Sequence, residues 1–245
     1  MKLNKYCKHF IISALFAAAL TTSVLAQSPD NSEAVPYQSM RLSELQRVAV
    51  HGSPQAQFRL GERFLNGEGV PKDPEVAVQW FRKAADQGLA EAQNKMGVCY
   101  MKGEGVVKDP EVAVGWFRKA AEQGLAEAQF SLGFCYAVGE GVEDDLEISI
   151  EWYRRAAEQG YARAQVNLGL CYLYGKGIAE DPIAAVNWFK KAAEQGLADA
   201  QYNLGMCYLY GIGMPKDLEM AKQWFEKAAA QGYAEAQLKL ESLTK

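Results

Sequence analysis

Residues 161–196 read YARAQVNLGLCYLYGKGIAEDPIAAVNWFKKAAEQG, and their periodicity decides the fold. Ala164, Leu168, Cys171, Tyr172 and Gly175 fall at i, i+4, i+7, i+8 and i+11, which is one face of a helix. Gly175 follows the last periodic residue, where a left-handed closing conformation suits glycine, and Gly177 lets the chain turn back. Asp181 then offers an acceptor to the free amides of a new helix, and Pro182 supplies a first residue that has no amide to satisfy. The second helix carries Ala185, Trp188, Phe189, Ala192 and Ala193 on its apolar face and stops at Gly196. Gly169, beside Leu168, and Ala185 on the opposing helix are small enough for the two backbones to approach closely.

The same unit fills most of the chain. Trp80, Trp116, Trp152, Trp188 and Trp224 are spaced by 36 residues, as are Cys99, Cys135, Cys171 and Cys207. An Ala-Gln pair keeps the same step at Gln57, Gln93, Gln129, Gln165, Gln201 and Gln237, and Gly-x-Gly turns recur from Gly67 to Gly213. Constant spacing defines five repeats, 53–88, 89–124, 125–160, 161–196 and 197–232. Two short helices cannot bury so wide an apolar face alone, so the pairs must stack around a shared core. The expected fold is an all-α solenoid of antiparallel helix pairs, with no strand. Residues 40–52 read as an N-terminal capping helix with Glu44 in the tryptophan position. Residues 233–245 read as a C-terminal capping helix, with Glu241 where the repeats have glycine.

The string Ala164-Gln165, Leu168-Gly169, Tyr172, Gly175-Lys176-Gly177, Asp181, Ala185, Trp188, Ala192-Ala193 and Gly196 resembles the Sel-one-like repeat, a cousin of the tetratricopeptide repeat. The resemblance covers 53–232 and implies a right-handed superhelix whose first helices line a concave surface. It also implies adaptor or scaffold work, often in the bacterial envelope, in signalling or at the host boundary. Cysteine-rich exported relatives carry two cysteines per repeat, which bridge the helices of a unit, and are associated with β-lactam binding or hydrolysis. This chain departs from them, with one cysteine per unit, always on the first helix. Equivalent helices pack about 8–10 Å apart, beyond the roughly 7 Å between Cα atoms that a disulfide tolerates. Four reduced, buried thiols are therefore expected.

Outside the repeats, Lys2, Lys5 and Lys8 precede an apolar run from Phe10 to Leu20, and Val24-Leu25-Ala26 closes the segment with small residues. That pattern predicts a signal peptide, 1–26, cleaved after Ala26, with a polar linker at 27–39. Thr21, Thr22 and Ser23 shorten the apolar run below the length of a membrane anchor. The expected location is periplasmic or secreted. Removing the segment leaves 23 basic against 30 acidic residues, a poor balance for a nucleic-acid partner. It also leaves His51 as the single histidine, so neither a histidine-built metal site nor a cofactor is expected.

The Gly-x-Gly turns join helix to helix and lack the lysine and hydroxyl residue of a phosphate cradle. Ser242 and Lys245 have the spacing of penicillin-recognising enzymes, but neither partner string of those enzymes occurs. Positions that vary between repeats are more informative, because stacking does not fix them. One first-helix column reads Glu62, Val98, Phe134, Leu170 and Met206; another reads Leu65, Met101, Ala137, Leu173 and Leu209; a third reads Asn66, Lys102, Val138, Tyr174 and Tyr210. By analogy with tetratricopeptide repeats these columns line the groove, which becomes apolar and aromatic toward the C-terminal end. Asn167 and Asn203 are placed to clamp a peptide backbone. The expectation is an exported, non-catalytic scaffold that holds a protein or peptide, such as an envelope or host protein, through Phe134, Asn167, Leu170, Leu173, Tyr174, Asn203, Met206, Leu209 and Tyr210. The alternative is a β-lactam-binding or β-lactam-hydrolysing protein.

Overall fold

A computed structural model describes residues 37–243, which form twelve α-helices with no strand among them. They are α1 (Leu42–Val50), α2 (Pro54–Asn66), α3 (Pro74–Asp86), α4 (Ala90–Lys102), α5 (Pro110–Glu122) and α6 (Ala126–Val138). Next come α7 (Leu146–Glu158), α8 (Ala162–Tyr174), α9 (Pro182–Glu194), α10 (Ala198–Tyr210), α11 (Leu218–Ala230) and α12 (Ala234–Leu243). The segment 1–26, expected to be a signal peptide, and most of the expected linker 27–39 lie outside the described residues. The linker's last residues are fastened to the first repeat. Arg63 donates from Nη2 to the Met40 carbonyl at 2.6 Å and to that of Gln38 at 3.4 Å, and Tyr37 Oη lies 3.3 Å from Ser53 Oγ.

The helix ends follow from the sequence. Asp73, Asp109, Asp145, Asp181 and Asp217 each accept from a first-turn amide of the second helix at 2.9–3.1 Å. Each first helix closes on a left-handed glycine, for example Gly175 at φ 62°.

The core is continuous across repeat boundaries. Ala113, Val114, Phe117, Ala120 and Ala121 of α5 cluster with Ala128, Leu132 and Cys135 of α6, the first helix of the next repeat, and Trp152 of α7 packs against them. One ring of each repeat's second helix, Phe81, Phe117, Tyr153, Phe189 or Phe225, is at least 97% buried. Burial of such a ring stabilises by roughly 1.5–3 kcal/mol. The small-residue column of the first helices makes room for these rings. A Cβ built on Gly169 would lie 2.6 Å from Phe189 Cε1 and 3.2 Å from the Ala185 carbonyl oxygen. The close approach expected at Gly169 is therefore of an aromatic ring as well as of backbone. Each tryptophan keeps an outer face, over which the basic residue three positions on is laid, from Lys227 at 3.8 Å to Arg155 at 4.6 Å from the ring centroid.

A second device ties repeat to repeat. Gln129, buried on α6, donates from Nε2 to the Ala121 carbonyl at the end of α5 (3.2 Å), while its Oε1 accepts from Gln159 Nε2 at 2.8 Å. The same two bonds recur at Gln57, Gln93, Gln165 and Gln201. The glutamine ladder thus meets the hydrogen-bond needs of the buried amides and gives a second donor to last-turn carbonyls that already accept one backbone N–H, as Ala121 does from Gly124.

Candidate functional site

The first helices present four residues per repeat at i, i+4, i+7 and i+11, which in α8 are Arg163, Asn167, Leu170 and Tyr174, and in α10 Asp199, Asn203, Met206 and Tyr210. Tyr210 is the most open, at 55% exposure, with Lys239 Nζ of α12 at 3.5 Å from its hydroxyl and 5.9 Å from its ring centroid. Tyr174, Leu173, Asn203, Met206 and Phe134 are half-buried. Phe134 leans on the cluster built around Ile150, Tyr153 and Leu168, and Met206 on that around Leu209, Phe225 and Ala236.

Two of the nine expected contact residues are not available to a ligand. Leu170 is 7% exposed and Leu209 8%. Leu209 belongs to the core cluster shared with α11 and α12, so it supports the wall and does not face outward. First helices have neighbours on more sides than a single apolar stripe covers, which is also why Gln165 and Val166 are buried. Asn167 is engaged inward, in a hydrogen bond with Tyr153. Tyr153 stands where the other repeats have phenylalanine, and burial pushes its hydroxyl well above the ordinary range, against which the bond from Asn167 acts. Asp199, at the start of α10, has a carboxyl raised by burial and by Glu235, with Arg163 and a bond from Tyr233 opposing.

The four repeat cysteines are free. Cys99, Cys135 and Cys207 are buried as expected, whereas Cys171 is half-buried. Burial pushes the thiols up to about 12 at Cys135 and Cys207 and to about 11 at Cys99 and Cys171; Glu140 adds to the rise at Cys135, and Lys176 opposes it at Cys171. A raised thiol pKa in the native state means that only the unfolded chain releases these protons just above pH 9, so stability falls as pH rises beyond that value. A disulfide reagent at pH 8 should modify Cys171 first and the other three only at the unfolding rate. Equal, rapid labelling of all four in the native protein would contradict this packing.

His51 lies at the end of α1, its Nδ1 2.6 Å from the Arg47 carbonyl oxygen. Ser242 donates to the Lys239 carbonyl at 2.7 Å, and Lys245 lies outside the described residues. Among the described residues no group of three His, Cys, Asp or Glu side chains is placed to hold a metal, and no helix is long and apolar enough to cross a membrane.

Stacked antiparallel helix pairs with a constant 36-residue step define an α-solenoid repeat protein. The profile of the Sel1 repeat matches residues 54–89, 90–125, 126–161, 162–197 and 198–233, and the chain belongs to that family. Its members are generally protein-interaction scaffolds. A Sel1 repeat protein from Oxalobacter formigenes is similar, with 38% identity and a TM-score of 0.78 over 83% of this chain and 81% of its own. A protective antigen of uropathogenic Escherichia coli strains is 40% identical with a TM-score of 0.77; the match covers 81% of this chain but only 43% of the antigen. A Klebsiella pneumoniae sel1 repeat protein, 23% identical with a TM-score of 0.54 over 83% of this chain and 99% of its own, shares the fold. No curated protein sequence matches significantly.

Proposed function

We propose that the protein is an exported, non-catalytic scaffold that holds a protein or peptide partner on the first-helix face of its C-terminal repeats. One observation carries this reading. Positions that repeat are consumed by stacking, whereas the varying, part-exposed positions become apolar and aromatic from Phe134 through Leu173 and Tyr174 to Met206 and Tyr210. Exposed aromatic rings on a rigid surface are the usual anchors of partner binding. Asn203 supplies an amide that pairs with a peptide backbone. Leu170 and Leu209 serve as the wall behind these residues. The basic, apolar N-terminal segment ending at Ala26 supports export to the periplasm or beyond, where the partner is an envelope or host protein.

The test is affinity capture from envelope extract with the purified protein as bait, beside a Tyr174→Ala, Tyr210→Ala variant. Neither ring fills the core, so helicity stays unchanged, while recovery of the partner falls by at least about tenfold. Equal capture by both baits would remove the groove assignment. Turnover of a chromogenic β-lactam that vanishes in Ser242→Ala would replace the scaffold reading by the hydrolase one.

A further inference from the structure

The edge formed by the turns between first and second helices is a separate surface. Of the nine large apolar side chains most exposed among the described residues, six lie there: Val107, Val112, Leu146, Ile148, Ile183 and Leu218. The five turn segments 67–75, 103–111, 139–147, 175–183 and 211–219 also hold fifteen of the thirty acidic residues of the chain, against four of its twenty-six basic ones. Many of these acids have a local explanation. The aspartates cap the second helices, and Glu75, Glu111, Glu147 and Glu219 sit in first turns where the helix dipole favours a negative charge.

Repeats 3 and 4 exceed what capping needs. Glu143 and Asp144 stand where other repeats have proline or valine and lysine, at Pro71-Lys72, Val107-Lys108 and Pro215-Lys216. Leu146 replaces the proline of Pro74, Pro110 and Pro182. Ile183, 63% exposed, replaces the glutamate found at that position in the other four repeats. The two turns adjoin, the turn of repeat 4 resting on the start of α7: a Cβ built on Gly177 would lie 2.7 Å from Leu146 Cβ. Across the two turns there are seven acidic residues and one lysine, Lys176. A lysine already docks on this edge from next door, Lys108 Nζ lying 3.0 Å from Glu140 Oε1.

We infer that the patch around Glu143, Asp144, Leu146, Ile148, Glu180 and Ile183 is a second docking surface, and that its occupant is a cationic amphipathic helical segment of another protein. The apolar side chains receive the segment's apolar face, and the surrounding carboxylates receive its lysines or arginines. An anionic membrane is repelled by the same carboxylates. The occupant is independent of whatever the groove holds.

Fluorescence anisotropy with a labelled leucine–lysine helical peptide of about fourteen residues tests this on the purified protein. Two variants use residues found at the same positions in sister repeats, so the fold is kept, which thermal unfolding verifies. Leu146→Pro with Ile183→Glu removes the apolar part; Glu143→Pro with Asp144→Lys removes the surplus charge. Each should weaken peptide binding by at least about tenfold, and so should replacing the peptide's leucines by serine. Retained affinity in either variant, or equal binding of the serine peptide, overturns the proposal. Adsorption to phosphatidylcholine vesicles that is lost in Leu146→Pro with Ile183→Glu overturns it too, by making the patch a membrane surface.

Discussion

Gly105→Ala should destabilise the array by about 3 kcal/mol, and Gly69→Ala by only about 1 kcal/mol. The two glycines occupy the same place in successive repeats and share a φ of 73°, so the left-handed backbone costs each alanine the same. They differ in what a methyl group meets. A Cβ on Gly69 would meet no atom within 4 Å beyond its chain neighbours, whereas one on Gly105 would lie 2.1 Å from the Pro74 carbonyl oxygen of the preceding repeat. Backbone cannot rotate away as a flexible side chain does, so the whole turn must shift. Urea unfolding of the pair isolates the contact between turns; equal midpoints for the two variants would show that the turns do not bear on one another.

Gln129→Met should cost about 2–3 kcal/mol, although methionine fills nearly the same volume. The substitution removes a donor from the Ala121 carbonyl and an acceptor from Gln159 Nε2 in one step, at a residue that is 5% exposed. Gln237 is the control. It keeps the register of the ladder in α12 but is exposed, and no second helix follows it among the described residues, so Gln237→Met should change stability by less than about 0.5 kcal/mol. A comparable loss at both positions would mean that the bonds in the core contribute no more than bonds to water.

The helix pairs were legible because each rests on local chemistry: the period of Ala164, Leu168 and Cys171, the closing Gly175, and Asp181 before Pro182. The ladder was visible only as a recurring Ala-Gln pair. Its role needed the neighbouring repeat, since Gln129 takes its donor from Gln159, thirty residues away. The contact surface was legible in part. Variation between repeats singles out Tyr174 and Tyr210, but it also selects Leu170 and Leu209, which are buried, Leu209 within the core it shares with α11 and α12. Asn167 is bonded inward, to a hydroxyl on Tyr153 that no local pattern links to it. The acidic, apolar edge is not legible in the sequence because its residues are spread over turns that read as loops, and only stacking brings Leu146 beside Gly177.

Each cohesive cluster joins the second helix of one repeat to the first helix of the next, as α5 is joined to α6 around Phe117. The same second helices also pack on the first helix of their own repeat, as Phe189 does on Gly169, so each is held by two repeats at once and the period that recurs in the sequence has no edge in the core. Recombination that adds or deletes one period, wherever in the period it cuts, regenerates interfaces of the kind already present. Array length is consequently free to drift in evolution while the joints stay the same.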